Sequence, residues 1–230
     1  MGWPMHVPDG FIDAPVSLAA GGVAVIGVAV CLRGARRSLD EATAPLAGLV
    51  AVFIFAAQMF NFPVGLGTSG HLMGAALAAI LIGPYAGPLA VTVVLMIQAL
   101  LFADGGITAL GLNIINMALV PTLVAWPVFR LVVRSLGNSR AVVIGAAAVA
   151  GWLSIVASSL AFAFEYWLGG TTALDVGAVT LAMVGVHVVI GLVEGLITAL
   201  IVGAVFALRP DLVAGVKRRR AEQESVEVAA

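Results

Sequence analysis

The chain contains three histidines, and two of them lie in segments whose composition suits metal binding. His6 belongs to a short polar stretch, MHVPDGFIDAP (5–15), in a chain that is otherwise largely apolar. A histidine that directly follows a free N-terminal residue can bind a metal through the terminal amine, its own amide nitrogen and its Nδ1 atom. These three nitrogens close two fused chelate rings in one plane. Planar nitrogen coordination suits Ni(II), Cu(II) and, less firmly, Co(II).

Met5 would supply the amine if it were the first residue of the protein. In the sequence, MGWP precedes Met5, and an amide nitrogen at Met5 could not act as that donor. A chelate of this kind at Met5 and His6 would therefore require either that translation starts at Met5 or that residues 1–4 are removed. The first explanation is favoured because MGWP contains no recognisable cleavage signal.

The composition places these residues in a membrane protein. Of 230 residues, 62% are hydrophobic and only 10% are charged, with a mean hydropathy of +1.14. Soluble domains carry roughly 25% charged residues. Long apolar runs favour helices over a barrel. The predicted spans are 16–32, 42–60, 71–83, 85–103, 107–129, 141–167 and 176–208. The single cysteine, Cys31, excludes an intramolecular disulfide and a cysteine-based zinc cluster.

The distribution of basic residues predicts the orientation in the membrane. All 11 lysines and arginines fall in three clusters, around 33–37, 130–140 and 209–220. With the N-terminus outside, all three clusters are cytoplasmic. The chain then divides into an external segment (1–15), a transmembrane helical domain (16–208) and a cytoplasmic tail (209–230), whose basic run can contact lipid headgroups. His6 and His71, which follows a glycine-rich loop, face the same outer side.

Other polar residues lie within or beside the predicted helices. Buried amides need hydrogen-bond partners, so they serve either packing or the orientation of the imidazoles. His187 and Glu194 are seven residues apart and share one face of the last helix. Ionisable residues inside a membrane helix are candidates for function, although Glu194 equally suits a hydrogen-bonded role that locks helices together. The amides are Gln58, Asn61, Gln98, Asn113 and Asn116.

The sequence resembles a known family over nearly its whole length. The matching stretches are MHVPDGFI at the N-terminus, the dense region 61–117 that contains the SGH loop, and GVHVVIGLVEGLITALIV (185–202). They are similar to the cobalt/nickel substrate-binding component of energy-coupling factor ABC transporters, the CbiM/NikM family. The resemblance implies an all-α integral membrane protein of about seven transmembrane helices, with the N-terminal segment folding back into the bundle.

The resemblance also implies the ligands and the partners. It assigns the metal, Co(II) or Ni(II) as transported substrate, to Met5, His6 and His71. It implies a coupling transmembrane subunit, two ATPase subunits and, in some systems, a small membrane accessory subunit, but no nucleic acid. We expect four residues to surround the ligands: Asn61, Ser69, Gln98 and His187. The departure from the family pattern is the MGWP extension.

Catalysis is not expected on this chain. A phosphate-binding loop needs a lysine before Ser or Thr, and the one lysine, Lys217, precedes Arg218. If uptake is driven by energy, that energy must come from partner subunits. Two alternatives remain: a metal facilitator that acts alone, and a rhomboid-like intramembrane serine protease, in which Ser69 of GTSG would be activated by His187. The sequence does not distinguish cobalt from nickel.

Overall fold

A computed structural model describes residues 6–38, 43–59, 61–65 and 68–216. The chain folds into a bundle of apolar helices with one short hairpin of strands. The elements are α1 (Ala14–Ser38), α2 (Thr43–Gln58), β1 (Asn61–Gly65), β2 (Thr68–His71), α3 (Ala75–Leu101), α4 (Leu110–Ile114), a π-helical turn (Ile115–Leu119), α5 (Val120–Leu136), α6 (Arg140–Gly169), α7 (Val176–Leu208) and a 3₁₀ turn (Pro210–Leu212).

The predicted all-α membrane fold is confirmed. Among the described residues, five helical stretches are long and apolar enough to cross a bilayer: α1, α3, the run from α4 to α5, α6 and α7. The 16-residue helix α2 is apolar but shorter. Large apolar side chains cover the outside of the bundle, as expected where lipid rather than water is the solvent.

Helix α3 contains the break predicted between the third and fourth apolar segments. Gly83 has φ 93° and ψ 168°, a backbone conformation that only glycine adopts easily. Beyond it the chain folds back, since a Cβ added to Gly87 would lie 2.8 Å from the Ala79 nitrogen. The short arm, 75–82, is completely buried, and its eight residues are too few for a full crossing, which needs about 20.

The chain before α3 differs from the sequence expectation. Helical structure was expected from residue 71, but the helix begins at Ala75. Strands β1 and β2 precede it as an antiparallel pair that sets Asn61 opposite His71. Non-helical backbone can lie inside a membrane protein where protein surrounds it. Residues 71–74 meet this condition because all four are buried.

The N-terminal arm, residues 6–13, folds back against the bundle as predicted. Asp13 donates its amide proton to Gly169 O at 2.7 Å, and Thr171 donates its amide proton to Phe11 O at 3.1 Å. The arm therefore lies where α1 starts and α6 ends. The described basic clusters, at the end of α1, around the α5–α6 connection and at Arg209, lie at the opposite end.

Candidate metal site

The two histidines predicted as ligands meet inside the bundle. The His6 and His71 rings are 4.9 Å apart between centroids and perpendicular to each other. They are 6% and 4% exposed, respectively. A histidine near the N-terminus and one before α3, 65 residues further along the chain, thus lie side by side in the buried interior.

The arm that carries His6 is held by the side-chain amide of Asn113. Val7 donates its amide proton to Asn113 Oδ1 at 3.0 Å, and Asn113 Nδ2 donates to Val7 O at 3.2 Å. The Gly106 amide also donates to Val7 O, at 2.9 Å. Asn113 therefore pairs with Val7 as a neighbouring strand would, and it fixes the backbone directly after His6.

The loop between α3 and α4 leaves room for His6 only because residue 105 is glycine. Gly105 has φ 93°, and a Cβ there would lie 2.8 Å from His6 Cβ and 3.2 Å from Asn113 Nδ2. Any larger residue would be strained in its backbone and would displace the histidine.

A second attachment holds the arm at the surface. The Asp9 carboxylate accepts hydrogen bonds from the Thr108 amide at 2.8 Å and from the Thr108 hydroxyl at 2.5 Å. The hydroxyl bond, followed by the amide bond, lowers the pKa of Asp9 below its usual value. Gly10 has φ 77°, which suits a turn at VPDG.

The loop that carries His71 is held from the interior. Glu194 of α7 accepts two backbone amide protons, from Met73 at 3.0 Å and from Gly74 at 2.8 Å. Gln58 Nε2 donates to Met73 O at 2.9 Å. His71 itself is oriented by a bond from Nδ1 to the Leu72 carbonyl oxygen, at 2.8 Å.

Burial keeps both histidines neutral. Desolvation is the main cause that lowers the pKa of His6, partly offset by its bond to the Asp104 carbonyl. Desolvation, followed by the nearby His6 charge, lowers the pKa of His71 to about 3. A histidine must be unprotonated on one ring nitrogen to bind a metal, so the site offers lone pairs at neutral pH without first losing protons from these rings.

The lone pairs sit on specific ring nitrogens. A carbonyl oxygen only accepts hydrogen bonds, so the proton of His71 is on Nδ1 and its Nε2 carries the lone pair. His6 Nδ1 likewise lies 3.1 Å from Asp104 O and 3.5 Å from Asp104 Oδ1. His6 Nε2 is buried without a hydrogen-bond partner among the described residues. The chelate expected from the sequence uses His6 Nδ1, so it requires this ring to turn over and release Asp104.

The structure describes the other residues singled out in the sequence to different extents. Met5 lies outside the described residues. Asn61 and Ser69 belong to the strands β1 and β2, and their side chains also lie outside the description. Gln98 is fully buried, and its backbone oxygen accepts the Asp104 amide proton at 3.0 Å.

His187 is buried on α7, where its Nδ1 donates to Met183 O at 2.7 Å. A protonated His187 would lower the pKa of His71. Sequence reasoning missed Thr108 and the role of Asp104 beside His6. Nothing in the local pattern of ADGGIT identifies their distant partner.

Within the described ranges, no three His, Cys, Asp or Glu side chains converge to form a metal site. The predicted ligand set does not require such a cluster, since it takes two of its four nitrogens from backbone positions at residues 5 and 6. The fold and the site together define the class of protein. It is a helical membrane protein in which two neutral imidazoles form a candidate site for a transition metal that prefers nitrogen ligands.

Comparison with known proteins identifies the family. Residues 6–212 match the family model CbiM, "Cobalt uptake substrate-specific transmembrane region". The chain belongs to this family. It is 44% identical over 211 residues, 91% of the chain and 93% of the relative, to a Haloquadratum walsbyi protein provisionally named a metal transport protein.

Two further similarities extend this result. The chain is 41% identical over 165 residues to the fused nickel transport protein NikMN of Rhodobacter capsulatus, covering 70% of this chain and 47% of that protein. The fold is similar to the crystal structure of a transition metal transporter, with a TM-score of 0.81 and 33% identity over 89% of this chain and 93% of the other. The predicted family is therefore confirmed.

Proposed function

We propose that this protein is the substrate-binding component of an energy-coupling factor transporter that captures Co(II) or Ni(II) at the outer face of the membrane. The observation that carries the proposal is the buried contact between the His6 and His71 rings, 4.9 Å between centroids. Both rings are kept neutral by burial, and the arm that carries His6 is clamped by Asn113. Family membership agrees with a role in metal transport.

The ligands in this proposal are nitrogens of Met5, His6 and His71. Met5 provides its amine, His6 its amide nitrogen and Nδ1, and His71 its Nε2. Turning the His6 ring exchanges the Asp104 hydrogen bond for a bond to the metal. Four nitrogens in one plane fit Ni(II) well and also accept Co(II). The chelate requires a free amine on Met5, so a chain that retains residues 1–4 would lack one of its donors.

The proposed orientation has the N-terminus outside and the C-terminus in the cytoplasm of a cell membrane. The supporting observation is that the arm lies at the end of the bundle opposite Arg33, Arg37, Arg140 and Arg209. Basic residues are enriched on the cytoplasmic side of membrane proteins. The metal would then arrive from outside at the end where the histidines lie.

The proposed partners are a coupling transmembrane subunit and two ATPase subunits, with or without a small accessory subunit. This chain has no phosphate-binding loop, because its one lysine is followed by arginine. The Rhodobacter capsulatus relative is a fused protein, which is consistent with a component that works beside others.

Binding is tested on membrane-purified protein in two forms, one beginning at Met5 and one beginning at Met1. Intact mass establishes the terminus, and titration with Ni(II) and Co(II) in detergent measures affinity. We expect tight binding by the form that begins at Met5 and a large loss when residues 1–4 are retained. Equal affinity in both forms would reject the amine as a ligand. Failure of both to bind would reject the function.

Transport is tested separately. Cells that express the protein with its candidate ATPase and coupling subunits should accumulate radioactive nickel or cobalt, and cells that express it alone should not. Equal uptake in both would favour a facilitator that acts alone.

A further inference from the structure

The loop before α3 connects His71 to Glu194 through a single peptide group. The Leu72 carbonyl and the Met73 amide belong to the same peptide unit. On one side of this unit, His71 Nδ1 donates to Leu72 O at 2.8 Å. On the other side, Met73 N donates to Glu194 Oε2 at 3.0 Å. Hydrogen bonds therefore link the Glu194 carboxylate to the Leu72–Met73 peptide group, and this peptide group to the His71 imidazole.

The second oxygen of Glu194 strengthens this arrangement. Glu194 Oε1 accepts the Gly74 amide proton at 2.8 Å, and the helical bonds of α3 begin with Ala78 N to Gly74 O at 2.9 Å. The first amide groups of a helix lack partners within the helix, and a negative charge near them is favourable. Glu194 thus binds the amide at the N-cap of α3 with one oxygen and the amide of the preceding residue, Met73, with the other.

Helix α7 holds Glu194 in a fixed place. α6 and α7 approach closely, because Gly195 and Gly151 are small: a Cβ added to Gly151 would lie 3.1 Å from Gly195 Cα, and one added to Gly195 would lie 2.6 Å from Ala148 O. Glu194 is 3% exposed. This close packing restricts movement of the α7 backbone beside Glu194, so the carboxylate helps to set the position of the peptide that it binds.

We propose that Glu194 is a positioning residue for metal capture, which acts through the Leu72–Met73 peptide to orient the His71 imidazole and direct its Nε2 lone pair toward the metal. This inference rests on the proposed function. Hydrogen bonds in a chain polarise one another, and a carboxylate that reaches a metal-binding histidine fixes its tautomer and makes it a better donor. Here the peptide group transmits that effect.

The proposal is tested first without metal. Only three histidines exist, so ¹⁵N-histidine labelling resolves each ring, and His71→Ala identifies its signals. We expect His71 to carry its proton on Nδ1 in the unmodified protein. In Glu194→Gln, which offers one accepting oxygen instead of two, the two tautomers of His71 should become mixed. An unchanged His71 spectrum in Glu194→Gln would overturn the proposal, whether or not the protein binds metal.

Metal affinity provides the second measurement. Glu194→Gln should weaken Ni(II) binding by about tenfold, the lower end of the effect of losing a group that orients a metal ligand. In the His71→Ala background, the same change should have no further effect. Additive losses in the two backgrounds would show a general structural defect and would overturn the proposal.

A matched control removes a different buried carboxylate. Glu165 accepts a hydrogen bond from Asn116 Nδ2 at 2.5 Å and is 8% exposed. Glu165→Gln should leave the His71 tautomer unchanged. If the unmodified protein binds neither Ni(II) nor Co(II) while its His71 tautomer still depends on Glu194, the proposed function fails but the role of Glu194 in orienting His71 stands.

Discussion

The two segments that carry the histidines are held in different ways. The arm, residues 6–13, is attached through backbone bonds to Asn113 and to Gly169, and through Asp9 to Thr108 at the surface. The His71 loop is attached from the interior, where Glu194 and Gln58 bind its backbone. The first segment is docked from outside onto a finished bundle, whereas the second is part of its core.

This difference separates two kinds of contribution to the site. Most partners of the arm lie in the connections between helices or at helix ends, so its bonds can open with less disturbance of helix packing. Opening the His71 loop would leave the buried amides of Met73 and Gly74 without partners, which is costly in a membrane protein. The loop therefore presents a fixed ligand, and the arm brings the remaining ones to it.

The largest expected effect comes from removing the fixed ligand. His71→Ala should lower Ni(II) or Co(II) affinity by more than about 100-fold, because it removes a metal ligand itself rather than a residue that orients a ligand. His187→Ala should lower metal affinity by about tenfold or less, because the described hydrogen bond of this ring lies within its own helix. Titration in detergent measures both. A larger loss in His187→Ala would reverse the assignment.

Releasing the arm should have a smaller effect. Asn113→Ala leaves the Val7 amide without its side-chain partner in a buried position, a penalty of about 1–3 kcal/mol. We expect about a tenfold loss of metal affinity, mostly as faster dissociation, with little change in the thermal midpoint of the metal-free protein. Stopped-flow release to a chelator gives the rate. If Asn113→Ala also lowered the thermal midpoint of the metal-free protein strongly, Asn113 would support the whole bundle instead.

Lowering the pH should destabilise the folded protein through the lowered pKa of His71. His71 has a pKa of about 3 in the folded protein and an ordinary value of 6.5 when unfolded. The unfolded chain therefore binds more protons between these values, and the free energy of unfolding falls as the pH is lowered through that range. The slope for one such group is about 1.4 kcal/mol per pH unit.

Thermal midpoints of metal-free protein in detergent between pH 7 and pH 4.5 test this dependence. The groups whose charges act on His71 are His6, His187 and Asp104. His71→Ala should reduce the slope, and His71→Ala combined with His6→Ala should reduce it further. A slope that neither substitution changes would place the acid sensitivity elsewhere.

The smallest expected effect is at the surface attachment of the arm. Thr108→Val removes one bond to Asp9 but keeps the amide bond, and both partners are exposed. Exposed hydrogen bonds contribute little, so metal affinity should fall by about twofold to threefold. Affinity titration beside Asn113→Ala tests the ranking. A loss as large as that of Asn113→Ala would mean that the surface bond, and not the buried clamp, controls docking.

Much of the fold could be read from the sequence. Apolar runs separated by charged or Gly/Pro-containing connections indicated the helices, because span length is set by bilayer thickness. The break near Gly83 and the convergence of His6 and His71 followed from the same reasoning. The hairpin of strands before His71 did not, since a short glycine-rich stretch has no clear period and its backbone pairing depends on the surrounding protein.

The sequence by itself determined the membrane class, the family and the two histidines, because composition and local motifs are properties of the chain alone. Only the tertiary structure decided that Asn113 clamps Val7, that Asp104 holds the His6 ring and that Glu194 supports the His71 loop. These partners are between 98 and 121 residues apart. Such contacts depend on how helices rotate and pack against one another, and no local pattern encodes which buried amide or carboxylate will face which segment of backbone.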